Sequence, residues 1–223
     1  MRLHHHPHVS GVSDLQTKGR TIRWARFYDI VVKLMALGQD GALRRATVEM
    51  AGVKPGDRVL DVGCGTGDLT LAAAQRAGAT GQVYGIDAAP DMILVAQRKA
   101  ARAGATVVFR AELIERLSFP DNSFDMVLSS LMMHHLPGDL KRRGLTEIRR
   151  VLKPGGRLFI VDFKGRTRPS HHLLTAVLAH AALDAGVQDL PGIMKEAGFV
   201  QVTTGDMPLR VIGYAAGQAP QEK

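Results

Sequence analysis

The spacing of apolar residues changes once along this chain. Before residue 53, apolar side chains such as Leu34 and Leu37 recur at helical spacing, and Gly38 and Gly41 divide this pattern into two predicted helices. From Pro55 onward, short runs rich in β-branched residues alternate with helical patterns. Such alternation predicts an α/β fold with a mostly parallel sheet, right-handed crossovers and helices on both faces.

Seven runs are predicted as strands, at residues 58–62, 83–87, 106–110, 124–129, 157–162, 199–204 and 209–215. Helices are predicted over residues 68–76, 90–103, 140–152, 171–185 and 190–197. Pro154, Gly155 and Gly156 are predicted to turn the chain into the fifth strand. The link between the last two strands is too short for a parallel crossover, so this pair is predicted to be antiparallel.

We expect one folded domain with a polar extension. Residues 1–20 carry no apolar pattern and are expected to form a mobile tail. Residues 21–223 are expected to form the domain, with a helical cap over residues 21–52 and a core that contains the sheet over residues 53–223.

The amino-acid composition limits the expected cellular compartment and the kinds of site that the chain can contain. Of the 223 residues, 45% are hydrophobic and 22% are charged, which is ordinary for a folded globular chain. Cys64 is the single cysteine, so an intramolecular disulfide and a cysteine-rich zinc site are both excluded. A reducing cytoplasm is the expected location, and no metal cofactor is expected. The N-terminal residues are rich in histidine and have no apolar core, which is unlike a secretory signal.

The chain is basic, with 29 Lys and Arg against 21 Asp and Glu and a formal charge of +8. Such a charge serves solubility, or it attracts an anionic substrate, a membrane surface or nucleic acid. Nucleic acid is not expected, because aromatic residues are not interleaved with the basic ones. No apolar stretch reaches the ~18 residues of a membrane span, although peripheral membrane contact stays open. A basic run at residues 164–168 can attract an acceptor that is anionic or lipid-like.

The chemistry is concentrated around a glycine-rich turn after the first strand. Gly63, Gly65 and Gly67 stand at every second position and are followed by Asp68. Such a turn lets backbone amides meet a polar ligand. A dinucleotide fingerprint needs a small residue where Asp68 stands, which disfavours a nicotinamide cofactor. The second strand ends at Asp87, where an acidic residue is suited to binding a ribose diol. The pattern favours a nucleoside ligand without a pyrophosphate, and S-adenosylmethionine fits it.

With these residues in place, the chain resembles the class I S-adenosylmethionine-dependent methyltransferases, in particular the small-molecule branch around the ubiquinone/menaquinone C-methyltransferases. The resemblance covers residues 26–168 and rests on FYD at 27–29, DVGCGTG at 61–67, GID at 85–87, LSFPDNSFD at 117–125 and VLKPGGRL at 151–158. It implies a Rossmann-like, seven-stranded, mostly parallel sheet with an antiparallel C-terminal strand, helices on both faces and an N-terminal helical cap.

The resemblance also implies a set of residues that bind the cofactor: Asp61, Gly63, Gly65, Gly67, Asp87, Ala88, Met92 and Ser129. The loop residues would line the methionine end of S-adenosylmethionine, and Asp87 would accept hydrogen bonds from both ribose hydroxyls. Ala88 and Met92 would flank the adenine, while Ser129 would face the cofactor through its backbone. Tyr28 would close over the methionyl part or the substrate; alternatively, it packs inside the cap.

Two departures from the family pattern affect these assignments. Where relatives carry an aspartate near the adenine amino group, this chain has Leu113. Leu113 and Ile114 are therefore expected to supply apolar contact and a backbone amide, with Glu112 as a substitute acid. The quinone enzymes also carry an Arg-Asn pair after the fourth strand, whereas residues 131–136 here are LMMHHL. This difference counts against a quinone acceptor.

His134 and Tyr28 are the candidate catalytic residues. Imidazole titrates near neutrality, so His134 is suited to removing a proton from the acceptor. A base is needed only if the nucleophile must lose a proton, since transfer itself depends on holding nucleophile and methyl group in line. His135 is expected to pack in the core, and His171 and His172 either face the substrate or cap a helix.

Three functions stay open at this point. The leading hypothesis is an S-adenosylmethionine-dependent methyltransferase acting on a small-molecule or lipid-like acceptor. The alternative is a non-catalytic S-adenosylmethionine-binding or scaffold protein on the same fold, because a fold does not establish turnover. A nicotinamide oxidoreductase is disfavoured by Asp68. The accepting atom and the oligomeric state are not determined by the sequence.

Overall fold

The computed structural model describes residues 40–165 and 186–221 of the chain. Within these ranges the α-helices are α1 Asp40–Ala51, α2 Asp68–Ala77, α3 Pro90–Ala103, α4 Gly138–Val151 and α5 Leu190–Glu196. The strands are β1 Arg58–Val62, β2 Gln82–Asp87, β3 Val107–Ala111, β4 Phe124–Ser130, β5 Leu152–Phe163, β6 Val200–Asp206 and β7 Ile212–Gln218. Short 3-10 helices occur at Met133–His135 and Val187–Asp189. The helices predicted before Gly38 and over residues 171–185, and with them Tyr28, His171 and His172, lie outside the described residues.

Local signals in the sequence set the ends of the helices, and α3 shows how. Pro90 occupies its first turn, where a missing N–H costs nothing. Gly104 ends the helix in the left-handed conformation, with φ +61°, and its N–H donates to the carbonyls of Ala100 and Ala101. Both predicted ends of this helix are confirmed.

The seven strands of the described residues form one sheet in the order β3-β2-β1-β4-β5-β7-β6. Strands β1 to β5 pair in parallel, and β7 lies antiparallel between β5 and β6. The predicted fold class, including the antiparallel C-terminal strand, is therefore confirmed. The chain moves outward from β1 to β2 and β3, then returns to the other side of β1 as β4. The carboxyl ends of β1 and β4 consequently form the crevice where ligands bind in doubly wound sheets.

Helices pack on both faces of the sheet and bury two apolar layers. On one face, Leu145 of α4 and Met194 of α5 join the same cluster as the inward side chains of the strands. On the other face lie α1, α2 and α3. Helix α1 was assigned to the cap from the sequence; in the structure its Leu43 and Val48 are buried with this second layer, so it packs onto the core.

The structure differs from the sequence prediction at two positions with a clear physical reason. Strand β5 begins at Leu152 and runs through Pro154, where a turn was predicted. The pairing of β4 with β5 shifts register between Phe124 and Met126, which accommodates this irregular start. Gly41 was predicted to break a helix, but it lies in the first turn of α1, where glycine is tolerated.

Among the described residues, no helix combines the length and the apolar composition needed to cross a membrane.

Candidate functional site

The loop between β1 and α2 is fixed to the end of β2 by its own backbone. The N–H groups of Gly63 and Cys64 both donate to the carbonyl of Ile86, each at 2.9 Å. Gly63, Gly65 and Gly67 have φ values of +72°, +53° and +86°. Residues with a Cβ rarely adopt this left-handed region, so the every-second-glycine pattern is what allows the chain to make this turn.

Two of these glycines are also required by close packing. A Cβ at Gly63 would overlap with Cγ of Met132, so the segment after β4 approaches the loop directly. A Cβ at Gly67 would lie 2.9 Å from both Cβ of Ala96 and Cζ of Phe109. Gly67 therefore allows α2, α3 and β3 to meet, whereas Gly63 lies at the crevice between β1 and β4.

Asp87, at the end of β2, lies directly beside the glycine loop. Its Oδ2 accepts a hydrogen bond from the N–H of Gly65 at 2.9 Å, and its Oδ1 accepts one from the N–H of Ala89 at 2.8 Å. Burial raises the pKa of this carboxyl, and the two backbone hydrogen bonds act in the opposite direction. A carboxylate oxygen has a second lone pair, so each oxygen can also accept a hydroxyl hydrogen from a ligand.

Asp61 is buried at the end of β1 and has one oxygen without a protein donor. Its Oδ2 accepts a hydrogen bond from Oγ1 of Thr70 at 2.7 Å, while Oδ1 has no hydrogen-bond partner among the residues that the structure describes. Burial raises the pKa of Asp61 to about 6, against the lowering effect of Thr70 and of the positive charge of Arg44. A buried, unpartnered carboxylate oxygen is a position that a cationic donor from a ligand would satisfy.

The residues expected near an adenine differ in their burial and in their contacts. Met92 is buried in a small cluster with Ala89, and Ile114 packs in the core, with its Cδ1 2.7 Å from where a Cβ on Gly144 would lie.

The Glu112 carboxylate accepts hydrogen bonds from the N–H and the hydroxyl of Ser118, so it closes a local turn. Ala88 and Leu113 are half-buried. Apolar contact is thus better supplied here than a free carboxylate.

The segment after β4 contains the remaining candidates. Ser129 is fully buried, and its Oγ has no hydrogen-bond partner within residues 40–165 and 186–221. Leu131 has φ +54°, a conformation that is uncommon for a residue other than glycine and one that often occurs at functional sites. The N–H of Leu131 donates to the carbonyl of Val161 at 2.8 Å, which holds the segment against β5.

His134 is bound to a carboxylate that sequence reasoning did not select. Its Nδ1 lies 2.7 Å from Oδ1 of Asp162, at the end of β5, and the two side chains are only 6% and 2% exposed. The fully buried residue of this turn is Met133, whereas His135 is half-buried and its ring lies 3.9 Å from that of His134. The sequence offers one indication of Asp162: it is an acidic residue near the end of an apolar strand, at the edge of the sheet where ligands bind.

Asp68, which follows the glycine loop, forms an ion pair. The Asp68 carboxylate accepts a hydrogen bond from Nζ of Lys99 at 2.8 Å, so this residue, which argued against a dinucleotide, is held in an ion pair. No group of three or more His, Cys, Asp or Glu side chains suited to a metal ion occurs in the described part of the chain. Tyr28 lies outside that part.

Comparison with known proteins shows sequence similarity to a methyltransferase family. Residues 59–156 match the family model described as a methyltransferase domain. The ubiquinone/menaquinone biosynthesis C-methyltransferase UbiE of Hydrogenovibrio crunogenus is 38% identical over 144 residues, which are 64% of this chain and 56% of that protein. The chain thus spans little more than half the length of this relative.

Solved structures share the fold more widely. An S-adenosylmethionine-dependent methyltransferase from Aquifex aeolicus has a TM-score of 0.67 at 24% identity, covering 84% of this chain and 97% of its own. The [4+2]-cyclase SpnF also has a TM-score of 0.67, at 23% identity, covering 82% of this chain and 81% of its own. These two names describe different reactions, so the shared fold alone does not select an activity.

Proposed function

We propose that the chain is an S-adenosylmethionine-dependent methyltransferase acting on a small-molecule acceptor, because residues 59–156 match a family model described as a methyltransferase domain and the chain is similar to UbiE. The identity to UbiE supports a catalytic protein over the non-catalytic alternative, because that relative is named as an enzyme. One observation carries the proposal: Asp87 ends β2 with its carboxylate hydrogen-bonded to the N–H of Gly65, inside the glycine loop that follows β1.

The side chains present fit S-adenosylmethionine at both of its polar ends. Asp87 has lone pairs available for a ribose diol, and the unpartnered Oδ1 of Asp61 is suited to the ammonium group of the methionine end. Ala88, Met92 and Leu113 would supply apolar surface for adenine, with backbone groups of Ile114 and Ser129 beside them. Glu112 is a weaker candidate, because Ser118 occupies its carboxylate. When bound, the cofactor supplies an electrophilic methyl group.

The protein's own contribution to the reaction is chiefly positional. Holding acceptor and methyl group in line, in a site closed to water, removes much of the entropic part of the barrier. The segment after β4 is placed to do this, because Met132 contacts the loop at Gly63. His134 lies in the same segment and is our candidate base. Tyr28 remains our second candidate, as a residue that closes over the substrate.

We also propose that the acceptor is anionic or lipid-like and that the protein works in the cytoplasm, with peripheral membrane contact where the acceptor is a lipid. The basic run at residues 164–168 motivates this, although Lys164 itself pairs with Asp206, with Nζ 2.6 Å from Oδ1. The single cysteine, Cys64, is buried and free, which is compatible with a reducing compartment. The UbiE name makes a quinol one acceptor to test, although this chain lacks the Arg-Asn pair after β4.

The proposal is tested by titration calorimetry with S-adenosylmethionine, S-adenosylhomocysteine and NAD⁺. Wild-type protein is expected to bind the first two and not the third. Asp87→Ala is expected to weaken S-adenosylmethionine binding about tenfold or more, because ribose hydroxyls would lose a buried acceptor worth about 1–3 kcal/mol.

Asp87 also holds two backbone N–H groups, so the titration includes two further variants. Asp87→Asn keeps an acceptor for one of those groups and is expected to show the same direction of change with a smaller loss of stability. Asp91→Ala, an exposed carboxylate in the first turn of α3, is the matched control and is expected to bind like wild type. Unchanged affinity in both Asp87 variants would remove this residue from the cofactor site.

A further inference from the structure

We infer that Asp162 is a positioning residue that fixes His134 in the tautomer with a bare Nε2, and that the acceptor is therefore one that must lose a proton when it is methylated. This inference rests on the proposed function and deepens it. The observation behind it is the contact of 2.7 Å between Nδ1 of His134 and Oδ1 of Asp162, both nearly fully buried.

The hydrogen bonds around Asp162 decide which nitrogen carries the proton. Its Oδ2 accepts from the backbone N–H of His134 at 3.0 Å, and its Oδ1 accepts from the backbone N–H of Phe163 at 2.8 Å. Both oxygens thus act as acceptors, as in an ionised carboxylate. The ring must then donate from Nδ1, so neutral His134 has its lone pair on Nε2. Nε2 is the ring nitrogen that does not face Asp162.

Lys141 contributes a positive charge near the pair. Lys141 of α4 is buried and its charge interacts with those of Asp162 and Asp189; its pKa is lowered by burial, and the two carboxylates oppose that effect. In the part of the chain that the structure describes, the His134 ring also contacts the rings of His135, at 3.9 Å between centroids, and Phe163, at 5.1 Å. A carboxylate on one side of an imidazole also stabilises the imidazolium that forms when the other nitrogen takes up a proton.

The pair lies at the edge of the sheet where the cofactor loop is found. Asp162 is near the carboxyl end of β5, and His134 follows β4, the strand between β5 and β1. Two residues before His134, Met132 packs against the loop at Gly63. One short segment therefore contacts both the predicted methionine end of the cofactor and Asp162, which places the imidazole on the acceptor side.

The step balances without a further reactant. The acceptor X–H proton passes to Nε2 of His134 and later to water, while the electron pair of X forms the X–CH₃ bond and that of the broken S–CH₃ bond stays on sulfur. An O–H, N–H or activated C–H acceptor needs such a base. A thiol has a pKa near 8.5 and is ionised by mildly alkaline buffer alone, so it would make no use of the pair.

The tautomer is measured directly, independently of any acceptor. Long-range ¹H–¹⁵N correlation spectra of protein labelled with ¹⁵N-histidine distinguish the two neutral forms of imidazole, and His134→Gln identifies the signal. We expect the Nδ1–H form in the wild type at pH 8 and a loss of that preference in Asp162→Asn. An Nε2–H form in the wild type would overturn the inference, whatever the protein binds.

Measurements of turnover test whether the acceptor must lose a proton when it is methylated. Release of S-adenosylhomocysteine is followed with catechol, hydroquinone, tyramine and dithiothreitol. Asp162→Asn is expected to lower kcat about 10²-fold or more on the proton-bearing acceptor that the wild type uses best, with KM and cofactor affinity changed less than about threefold. Equal kcat in the two proteins, or a preference of the wild type for dithiothreitol alone, would overturn the inference.

Asp125→Asn is the matched control. Asp125 also accepts a backbone N–H, from Arg58 at 2.9 Å, and pairs with a cation, Lys153, but it lies at the opposite end of β4. The Asp125→Asn variant is expected to lose about as much stability as Asp162→Asn and to keep the kcat of the wild type. A fall in kcat as large as that of Asp162→Asn would show that the pair acts only through the fold. Failure of the wild type to bind S-adenosylmethionine would count against the proposed function instead.

Discussion

At the scale of single residues, the most informative group is Asp61, because its burial conflicts with its charge. The side chain is 1% exposed, and one oxygen has no donor among the described residues. Its pKa in the folded protein, about 6, lies above the ordinary value of 3.8. The folded protein therefore binds this proton more tightly than the unfolded chain does, and the associated stability is lost as pH rises from about 4 through 6.

Asp61→Asn is expected to raise the free energy of unfolding at pH 7.5 by on the order of 2 kcal/mol, because a neutral amide avoids the cost of a buried charge. The gain should shrink toward pH 4, where Asp61 is protonated. The same variant should bind S-adenosylmethionine more weakly. Urea unfolding at several pH values measures the first two effects, with the exposed Asp91→Asn as a control. A variant less stable than wild type at pH 7.5 would contradict this account.

At the scale of elements, one arginine connects α4 to the loop between β3 and β4. The guanidinium of Arg150 donates to the carbonyls of Leu117 and Phe119, at 2.9 and 2.8 Å, and also pairs with Asp121 and Glu147. The hydrogen bond from Arg150 is the main cause that lowers the pKa of Glu147. This network fixes the loop that follows Leu113 and Ile114 in the predicted adenine region.

Arg150→Lys is expected to lower the free energy of unfolding by about 1–3 kcal/mol, since an ammonium group cannot replace the planar fork at two carbonyls and two carboxylates. Amide hydrogen exchange should become faster at residues 117–122. The pKa of Glu147 is lowered in the folded protein. The difference in free energy of unfolding between wild type and Arg150→Lys should therefore narrow as pH falls below 4.5, the ordinary pKa of a glutamate.

Arg149→Lys is the control for the preceding variant, as a neighbouring half-buried arginine of the same helix. It is expected to change stability by less than about 0.5 kcal/mol. Equal effects of the two substitutions would show that the network around Arg150 adds nothing specific.

At the scale of the whole molecule, ion pairs change where the positive charge lies and leave the formal net charge at +8. The described basic clusters are largely matched by acidic neighbours, in the pairs Arg142–Glu196, Arg143–Asp139, Arg150–Asp121, Lys153–Asp125 and Lys164–Asp206. Exposed pairs of this kind add little stability, but they reduce the local positive potential. The positive potential at these described clusters is therefore reduced, while the excess of basic over acidic residues in the whole chain is unchanged.

Ligand binding should appear as a shift in the unfolding of the whole domain. S-adenosylhomocysteine at 100 times its Kd is expected to raise the Tm by about 5–10 °C, from a stabilisation of about 2.7 kcal/mol in a chain of this size. NAD⁺ at the same concentration is expected to leave the Tm unchanged. Differential scanning calorimetry makes the measurement. A shift with NAD⁺ and none with S-adenosylhomocysteine would reverse the assignment of the cofactor.

Local sequence determined most of the scaffold of this protein. The alternation of strands and helices predicted the sheet, and Pro90 and Gly104 marked both ends of α3, because such signals act over a few residues. The glycines at 63, 65 and 67 predicted the turn, since their backbone freedom is a property of the residue itself. Asp87 was found because it ends a strand at a set distance from that turn.

Only the tertiary structure decided which side chains meet. Asp162 pairs with His134 across 28 positions of sequence, and Met132 reaches Gly63 from the segment after β4, so no local pattern could reveal either contact. The same holds for burial: the sequence favoured His135 as the packed ring of its turn, whereas Met133 is the fully buried side chain and the His134 ring is enclosed against Asp162. Neighbouring residues of a single turn differ in environment because the strand packed against them, here β5, selects which side chain it covers.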